Sequence, residues 1–441
     1  MKKHTGPIKK LILFIFIVIV GLPTVHASAA TVPFAEGQIE DLSWQIRLNR
    51  FQCQHEAKPS SWCDQSDHSA AIKASGIQDE LLSWINDPEA RFIQISYMTF
   101  SSSVIAKALC DAAEKRNVEV DIYLQAGLIA SLDSARGAYK QLLQCAERNQ
   151  TFRVWQRGTD QWLNHAKIFL VASLPSQDLN AYRIRFTSSS ANLSVSGLGL
   201  HYDNWLMFDS AADHYLARAN LCFFEALHHM VTPAGNQDKG IFINRIRECN
   251  NEFSVPEQAA IRFIPVPSSS DMEKPLAALL QLIEESKSSI LIAAHRMTEP
   301  ESPRFPLITA LLEKIKQGVK VEIVFDDDTI LKYLRRPGSA SINVSKQELL
   351  AYERLSNAGA SIVFLDTNEK LQLFMHNKYM IFDNKTVFTG AGNFSLAAIL
   401  GKNTEQYYVL DDPSMVEAYV RGWEELYSWS FTADHFATAE P

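Results

Sequence analysis

Three things are missing from this chain of 441 residues, and each narrows what it does. No two cysteines are spaced C-x2-C, which argues against a structural zinc site. Past the first few dozen residues no apolar run approaches the roughly 20 residues that a membrane-spanning helix needs. Basic residues are not in excess: 42 Lys and Arg stand against 50 Asp and Glu, a formal charge of -8. A general nucleic-acid-binding surface is normally basic, so this balance weighs against one. All six cysteines lie at or before position 249, at 53, 63, 110, 145, 222 and 249.

The N-terminus is where apolar residues concentrate. Lys2, Lys3, Lys9 and Lys10 precede an apolar stretch from Leu11 to Leu22, followed by Pro23 and by Ala27-Ser28-Ala29. A basic start, a core of about a dozen apolar residues and a small-residue cleavage site predict a signal peptide over 1–29. Its removal leaves 38 basic and 50 acidic residues, a net charge of -12. The mature protein is expected to be soluble and periplasmic or secreted. An even cysteine count in an oxidising compartment predicts disulfides. Of the fifteen connectivities that six cysteines allow, nearest-neighbour pairing would join Cys53 to Cys63, Cys110 to Cys145 and Cys222 to Cys249.

With 46% of residues apolar, the chain is long enough for two cores. Residues 30–68 show little periodicity and read as an irregular N-terminal extension. An amphipathic helix over 69–86, a strand over 92–98, a helix over 102–116 and a strand over 118–124 then follow. Helices near 276–287 and 307–316, with strands at 290–294 and 319–325, repeat that order. Met98-Thr99 and Met297-Thr298 are 199 residues apart, and Asn192 and Asn393 are 201 apart. A duplication is expected, with lobes at 69–232 and 274–430, a linker at 233–273 and a tail at 431–441. Strands alternating with helices predict an α/β fold in which each lobe has a mixed, mostly parallel sheet flanked by helices.

The chemistry concentrates in a pattern that each half carries once. Phe374 to Asp383 reads as a strand in which His376 and Lys378, two residues apart, share a face at roughly 6.6 Å; it leads through a turn into Thr386–Thr389 and Gly390-Ala391-Gly392-Asn393. The other copy has His165 and Lys167, then Ser190 and Asn192. An imidazole that gains or loses a proton near neutrality, beside an ammonium, is a place for an anion. Carboxylates follow each asparagine: Asp203 in the first copy and Glu405 in the second.

These motifs resemble the phospholipase D superfamily, whose signature is H-x-K-x4-D followed by G-S-x-N, present twice and forming one active site. His376, Lys378, Asp383, Gly390 and Asn393 match in the second half; His165, Lys167, Ser190 and Asn192 match in the first. Ala172 replaces the expected Asp and Ala391 the expected Ser. The resemblance implies two pseudo-twofold lobes with one shared site, a monomer sufficient for catalysis, and no metal or other cofactor. It implies Asp203 serving His165 and Glu405 serving His376, and Asp383 as a further member of the catalytic set. Ser190 and Gly390 would contact substrate.

It also implies attack by His165 on a phosphodiester to give a phosphohistidine, with His376 protonating the leaving alcohol and then activating water. Lys167, Lys378, Asn192 and Asn393 would hold the nonbridging oxygens. Phospholipid head groups, at a membrane surface, are the first expected substrate. Nucleic acid is the alternative, phosphatidyl transfer a third reaction, and a degenerate binding protein the non-enzymatic alternative. Trp155, Trp162 and Trp205 would line an apolar entrance, His295 and Arg296 the rim, and a loop around Arg335–Ser339 the mouth.

Overall fold

A computed structural model describes residues 34–49, 68–125, 133–157, 163–174, 182–231, 238–253, 255–256, 258–268, 274–298, 303–327, 329–331, 346–365, 374–401 and 403–433. The segment 1–29 read as a signal peptide, Cys53, Cys63, Trp162, the loop around Arg335–Ser339 and the end of the tail lie outside the described residues.

Each half is built on one eight-stranded sheet. The first contains β1 (Ala35–Ile39), β2 (Leu42–Leu48), β3 (Ala90–Tyr97), β4 (Glu119–Gln125), β5 (Phe152–Arg157), β6 (Ile168–Ser173), β7 (Arg183–Ser189) and β8 (Asn204–Ala211). Its spatial order is β1-β2-β8-β7-β6-β3-β4-β5. The second half contributes β9 (Ile261–Val266), β10 (Ser289–Ala294), β12 (Lys320–Asp326), β13 (Ser361–Leu365), β14 (Lys378–Phe382), β15 (Thr386–Gly390), β17 (Glu405–Leu410) and β18 (Ser430–Phe431) to the other large sheet. The order there is β18-β13-β12-β10-β14-β15-β17-β9. Two short strands, β11 (Met297–Thr298) and β16 (Phe394–Ser395), form a separate pair. The fold is α/β with two similar lobes.

The balance of strand directions differs from the expectation of mostly parallel sheets. Only β3-β4, β4-β5, β10-β12 and β12-β13 pair in parallel within the two large sheets. These are the strands joined by helical crossovers; the hairpin-forming strands that carry the motifs run antiparallel to their neighbours.

The segments read as extension and linker each supply a strand. β2 pairs with β8 and β9 with β17, both antiparallel, so the two lobes recruit matching strands from chain upstream of them. Leu42, Trp44 and Ile46 alternate and are buried, a period-two signal. β9 carries Pro265, which is tolerated because β9 is an edge strand whose one neighbour is β17. The rest of 233–273 includes the helix Lys239–Asn250, tied to the helix Tyr215–Val231 by Cys222–Cys249. Cys110–Cys145 joins Ser103–Arg116 to Asp133–Arg148, and both bridges match nearest-neighbour pairing. The single helix expected over 69–86 is two, broken at Gly76, whose φ of 66° favours glycine.

Alternation divides the core into three layers. Ile168, Leu170 and Ala172 of β6 join Tyr379 and Ile381 of β14 in a cluster shared by both lobes. Phe169 and Val171 face the first lobe's own cluster, while Met380 and Phe382 face the second's. The lobes are therefore packed through a common apolar layer. Burial of that layer sets the spacing of the polar groups at its edge.

Candidate active site

Both H-x-K segments begin just before their strands, and each is gripped from two sides. Gln125, the last residue of β4, accepts the N–H of Asn164 through Oε1 at 2.8 Å; Asp326, the last residue of β12, accepts the N–H of Met375 through Oδ1 at 2.7 Å. These acceptors, 201 residues apart, fix the residue that precedes each histidine. Sequence reasoning missed both, although the carboxyl ends of central strands are where sites in α/β sheets form.

The second grip comes from the opposite lobe. The His165 N–H donates to the Thr404 carbonyl at 3.0 Å, and the Thr404 N–H to the Leu163 carbonyl at 2.9 Å. The His376 N–H donates to the Tyr202 carbonyl at 2.9 Å, and the Tyr202 N–H to the Phe374 carbonyl at 2.9 Å. Each histidine is thus stitched beside the residue that precedes the other lobe's carboxylate.

The consequence corrects the expected pairing. His165 Nδ1 lies 2.8 Å from Glu405 Oε2, and His376 Nδ1 lies 2.9 Å from Asp203 Oδ1. The carboxylates cross the pseudo-twofold instead of serving their own lobe, because the stitching places β8 and β17 against the partner lobe's motif. Each imidazole donates its Nδ1 proton to the carboxylate, which fixes the tautomer and leaves Nε2 its lone pair. Lys167 Nζ lies 3.2 Å from both ring nitrogens of His165 and donates to its carbonyl at 2.8 Å. Lys378 Nζ donates to the His376 carbonyl at 2.6 Å. Gln406, next to Glu405, brackets the Lys167 backbone, accepting its N–H and donating to its carbonyl, both at 3.1 Å.

The two halves are not equal electrostatically. Burial pushes the Glu405 carboxyl up, but His165, Lys167 and Asn403 outweigh it and hold it below the usual range. Burial wins at Asp203 and raises its carboxyl despite His201 and Lys378. The imidazoles of His165 and His376 are both lowered, first by burial, and His376 the more so because Lys378 and His201 stand close. Burial also lowers Lys378, and it brings Lys167 down to about 8.

The departures from the motif have structural counterparts. Ser190 Oγ donates to Asp203 Oδ1 at 2.6 Å, whereas Ala391 offers Glu405 nothing and Asn403 Nδ2 donates to Glu405 Oε1 at 3.0 Å instead. Ser190 therefore supports the carboxylate. Gly390 is required by packing: a Cβ there would lie 2.2 Å from the Gln406 carbonyl oxygen. The Oδ1 atoms of Asn192 and Asn393 are buried without a hydrogen-bond partner.

Asp383 is not part of this constellation. It sits at a turn with φ of 52° and accepts the N–H groups of Lys287, Ser288 and Ser289 at 2.8, 2.7 and 3.0 Å. In the first lobe the acid lies on the other side of the same contact. Asp87, in the loop before β3, accepts from Ser173 at the end of β6, so Ala172 can be buried in the core.

Of the three tryptophans expected at an entrance, the two within the described residues, Trp155 and Trp205, do not line one. Trp205 is fully buried in the first lobe's core, and Trp155 is on the sheet's edge strand, donating to Asp121 at 2.8 Å. His295 is buried with its ring centroid 5.4 Å from that of His376, while Arg296 is occupied by Glu348 at 3.0 and 2.9 Å.

Residues 279–427 match the family described as cardiolipin synthase, PLD-like domain. A Rickettsia typhi protein named phospholipase D is 28% identical over 145 residues, 33% of this chain and 59% of that protein. The mitochondrial cardiolipin hydrolase of Xenopus laevis is 27% identical over 121 residues, 27% of this chain and 48% of that protein. The chain spans between about half and three fifths of the length of these relatives. In fold alone it is similar to the phosphatidylserine synthase of Haemophilus influenzae, with a TM-score of 0.58 at 11% identity over 93% of this chain and 92% of that one. The family match over residues 279–427 and these relatives support the phospholipase D superfamily for the second half of the chain.

Proposed function

We propose that this protein is an exported phosphodiesterase that hydrolyses phospholipid head groups through a phosphohistidine. The observation that carries the reading is the crossed pair, two imidazoles each holding a proton on Nδ1 for a buried carboxylate of the other lobe, with two lysines beside them. One Nε2 attacks phosphorus while the other imidazole, protonated, supplies the proton for the departing alkoxide; water then repeats the displacement with the second imidazole as base. Burial holds both imidazoles towards the neutral form, and the charge of an arriving phosphodiester favours protonation of one. The resemblance assigns attack to His165 and proton transfer to His376.

The lipid reading is supported by the acidic charge balance and by the relatives named phospholipase D and cardiolipin hydrolase. The test sets the purified protein, with EDTA, against labelled phosphatidylcholine, phosphatidylglycerol and cardiolipin vesicles and labelled DNA in parallel, with His376→Ala as the blank. Histidine-dependent head-group release with intact DNA is the expected result. Cleavage of DNA with intact lipid would make the protein a nuclease, and transfer of the phosphatidyl group to added glycerol would make it a synthase. Protein quenched in alkaline detergent should carry the labelled phosphatidyl group on a peptide containing His165. Export is tested by N-terminal sequencing of protein recovered outside the inner membrane, with a start near Ala30.

A further inference from the structure

The two half-sites differ in how each carboxylate's second oxygen is satisfied. Glu405 has both engaged, Oε2 with His165 and Oε1 with Asn403. Asp203 receives both His376 and Ser190 on Oδ1, and its Oδ2 is buried without a hydrogen-bond partner. The residue two places before Glu405 is Asn403; the residue two places before Asp203 is His201. Where one half-site has an amide donor, the other has an imidazole whose Nδ1 lies 4.0 Å from that unpartnered oxygen.

The His201 and His376 ring centroids are 5.8 Å apart, and one ligand-capable atom from each of His201, Asp203 and His376 falls within 4.8 Å of the others. Bonds of about 2.0–2.2 Å to a tetrahedral ion place its ligand atoms roughly 3.3 Å apart, which movements of about 1 Å would reach here. Two imidazoles and a carboxylate suit zinc and its neighbours, whereas magnesium and calcium prefer all-oxygen shells. Among the described residues the other cluster of this kind, Cys110, Glu114 and Cys145, has its sulfurs joined in a disulfide.

We propose that His201, Asp203 and His376 form an inhibitory site for a divalent transition-metal ion, with Zn²⁺ as the reference ligand. The ion displaces the Nδ1 proton that His376 shares with Asp203 and takes that nitrogen together with the free oxygen of Asp203, so occupancy disables one of the two imidazoles on which turnover depends. It keeps an open position for water or a phosphate oxygen. Only the inhibitory consequence rests on the phosphodiesterase reading; binding of the ion does not.

The test begins with the full chain stripped by EDTA and dialysed against Zn²⁺, with Mg²⁺ in parallel. About one Zn²⁺ per chain and no Mg²⁺ is the expected uptake, and Co²⁺ in its place should give the strong visible bands of a four-coordinate site. His201→Asn, which installs the residue that serves the other half-site, should lose at least tenfold in Zn²⁺ affinity. Head-group release should be blocked by stoichiometric Zn²⁺ and restored by EDTA in the parent protein, and His201→Asn should be at least tenfold less sensitive. No stoichiometric uptake, or equal uptake by His201→Asn, would overturn the site. A protein that binds Zn²⁺ as described but releases no head group would overturn the functional reading and leave the metal site standing.

Discussion

His165 in the first lobe and Glu405 in the second lie 2.8 Å apart, Nδ1 to Oε2, so the carboxylate that orients each histidine comes from the other half of the chain. Because Glu405 favours the imidazolium and is buried beside it, Glu405→Gln should lower the pKa of His165 and leave that of His376 nearly unchanged. Asp203→Asn should act on His376. Histidine titration by NMR on the two variants checks this, and the opposite pattern would restore pairing within each lobe. Turnover in either variant should fall by about 10²- to 10⁴-fold, the range for a disabled acid or base.

Lys167 supplies a pH limit. Its ammonium is brought down by burial to about 8, against the pull of Glu405 and Asp203. Above that pH the neutral amine no longer offsets charge on a nonbridging oxygen, so kcat/KM should fall through a basic limb near pH 8. Stability moves the other way. The unfolded lysine titrates near 10.4, so between about 8 and 10.4 the unfolded chain binds more protons and stability rises with pH. Denaturant unfolding at pH 7.5 and 10 should show this increment in the parent protein and not in Lys167→Met.

What the chain reveals in advance follows from what is local. The parity that puts His376 with Lys378, the two lobes and the strands of each H-x-K hairpin are written in periods of two and in offsets near 200 residues. The crossing of Asp203 and Glu405 is not, because it depends on how two sheets meet through the buried layer of Ile168, Leu170, Tyr379 and Ile381. Within the sequence each carboxylate lies nearest its own lobe's asparagine, which favours the wrong partner. β2 was missed inside a segment read as irregular, although Leu42, Trp44 and Ile46 alternate, and Pro265 obscures β9. Gln125 and Asp326 carry no motif, and their only signal is position at a strand's carboxyl end.

Asp383 shows how a motif residue can belong to the scaffold. Burial pushes its carboxyl up, but the N–H groups of residues 289, 288 and 287 outweigh that and hold it at about 2. Asp383→Ala should cost about 1.5 kcal/mol, the lower end of the range for hydrogen bonds to a charged group because these bonds are partly exposed to solvent. Catalysis per folded molecule should be unchanged. A depressed carboxyl stabilises above the unfolded pKa of about 3.9 and loses that contribution as pH falls towards 2. Urea titrations should therefore show the gap between parent and variant narrowing below pH 4, and a large fall in kcat at neutral pH would return Asp383 to the catalytic set.

Asp326 is the reverse case, a residue outside every motif that sets the position of His376. It accepts the N–H groups of Met375 and Thr329 at 2.7 and 2.8 Å from a fully buried position, and burial raises its carboxyl to about 7. In the first lobe neutral Gln125 makes the equivalent contact with Asn164, so what the site needs there is an acceptor, not a charge. Asp326→Ala leaves two buried N–H groups without that acceptor and should cost about 1–3 kcal/mol. It also frees the chain segment that carries His376, and a misplacement of about 1 Å can cost 10²-fold in rate. The expected signature is a fall of about that size in kcat with KM changed less than about threefold, measured well below the variant's melting temperature. Asp326→Asn keeps one acceptor oxygen and should recover much of the rate. If both variants lose stability while kcat stays at the parent value, Asp326 supports the sheet and leaves the placement of His376 to Tyr202.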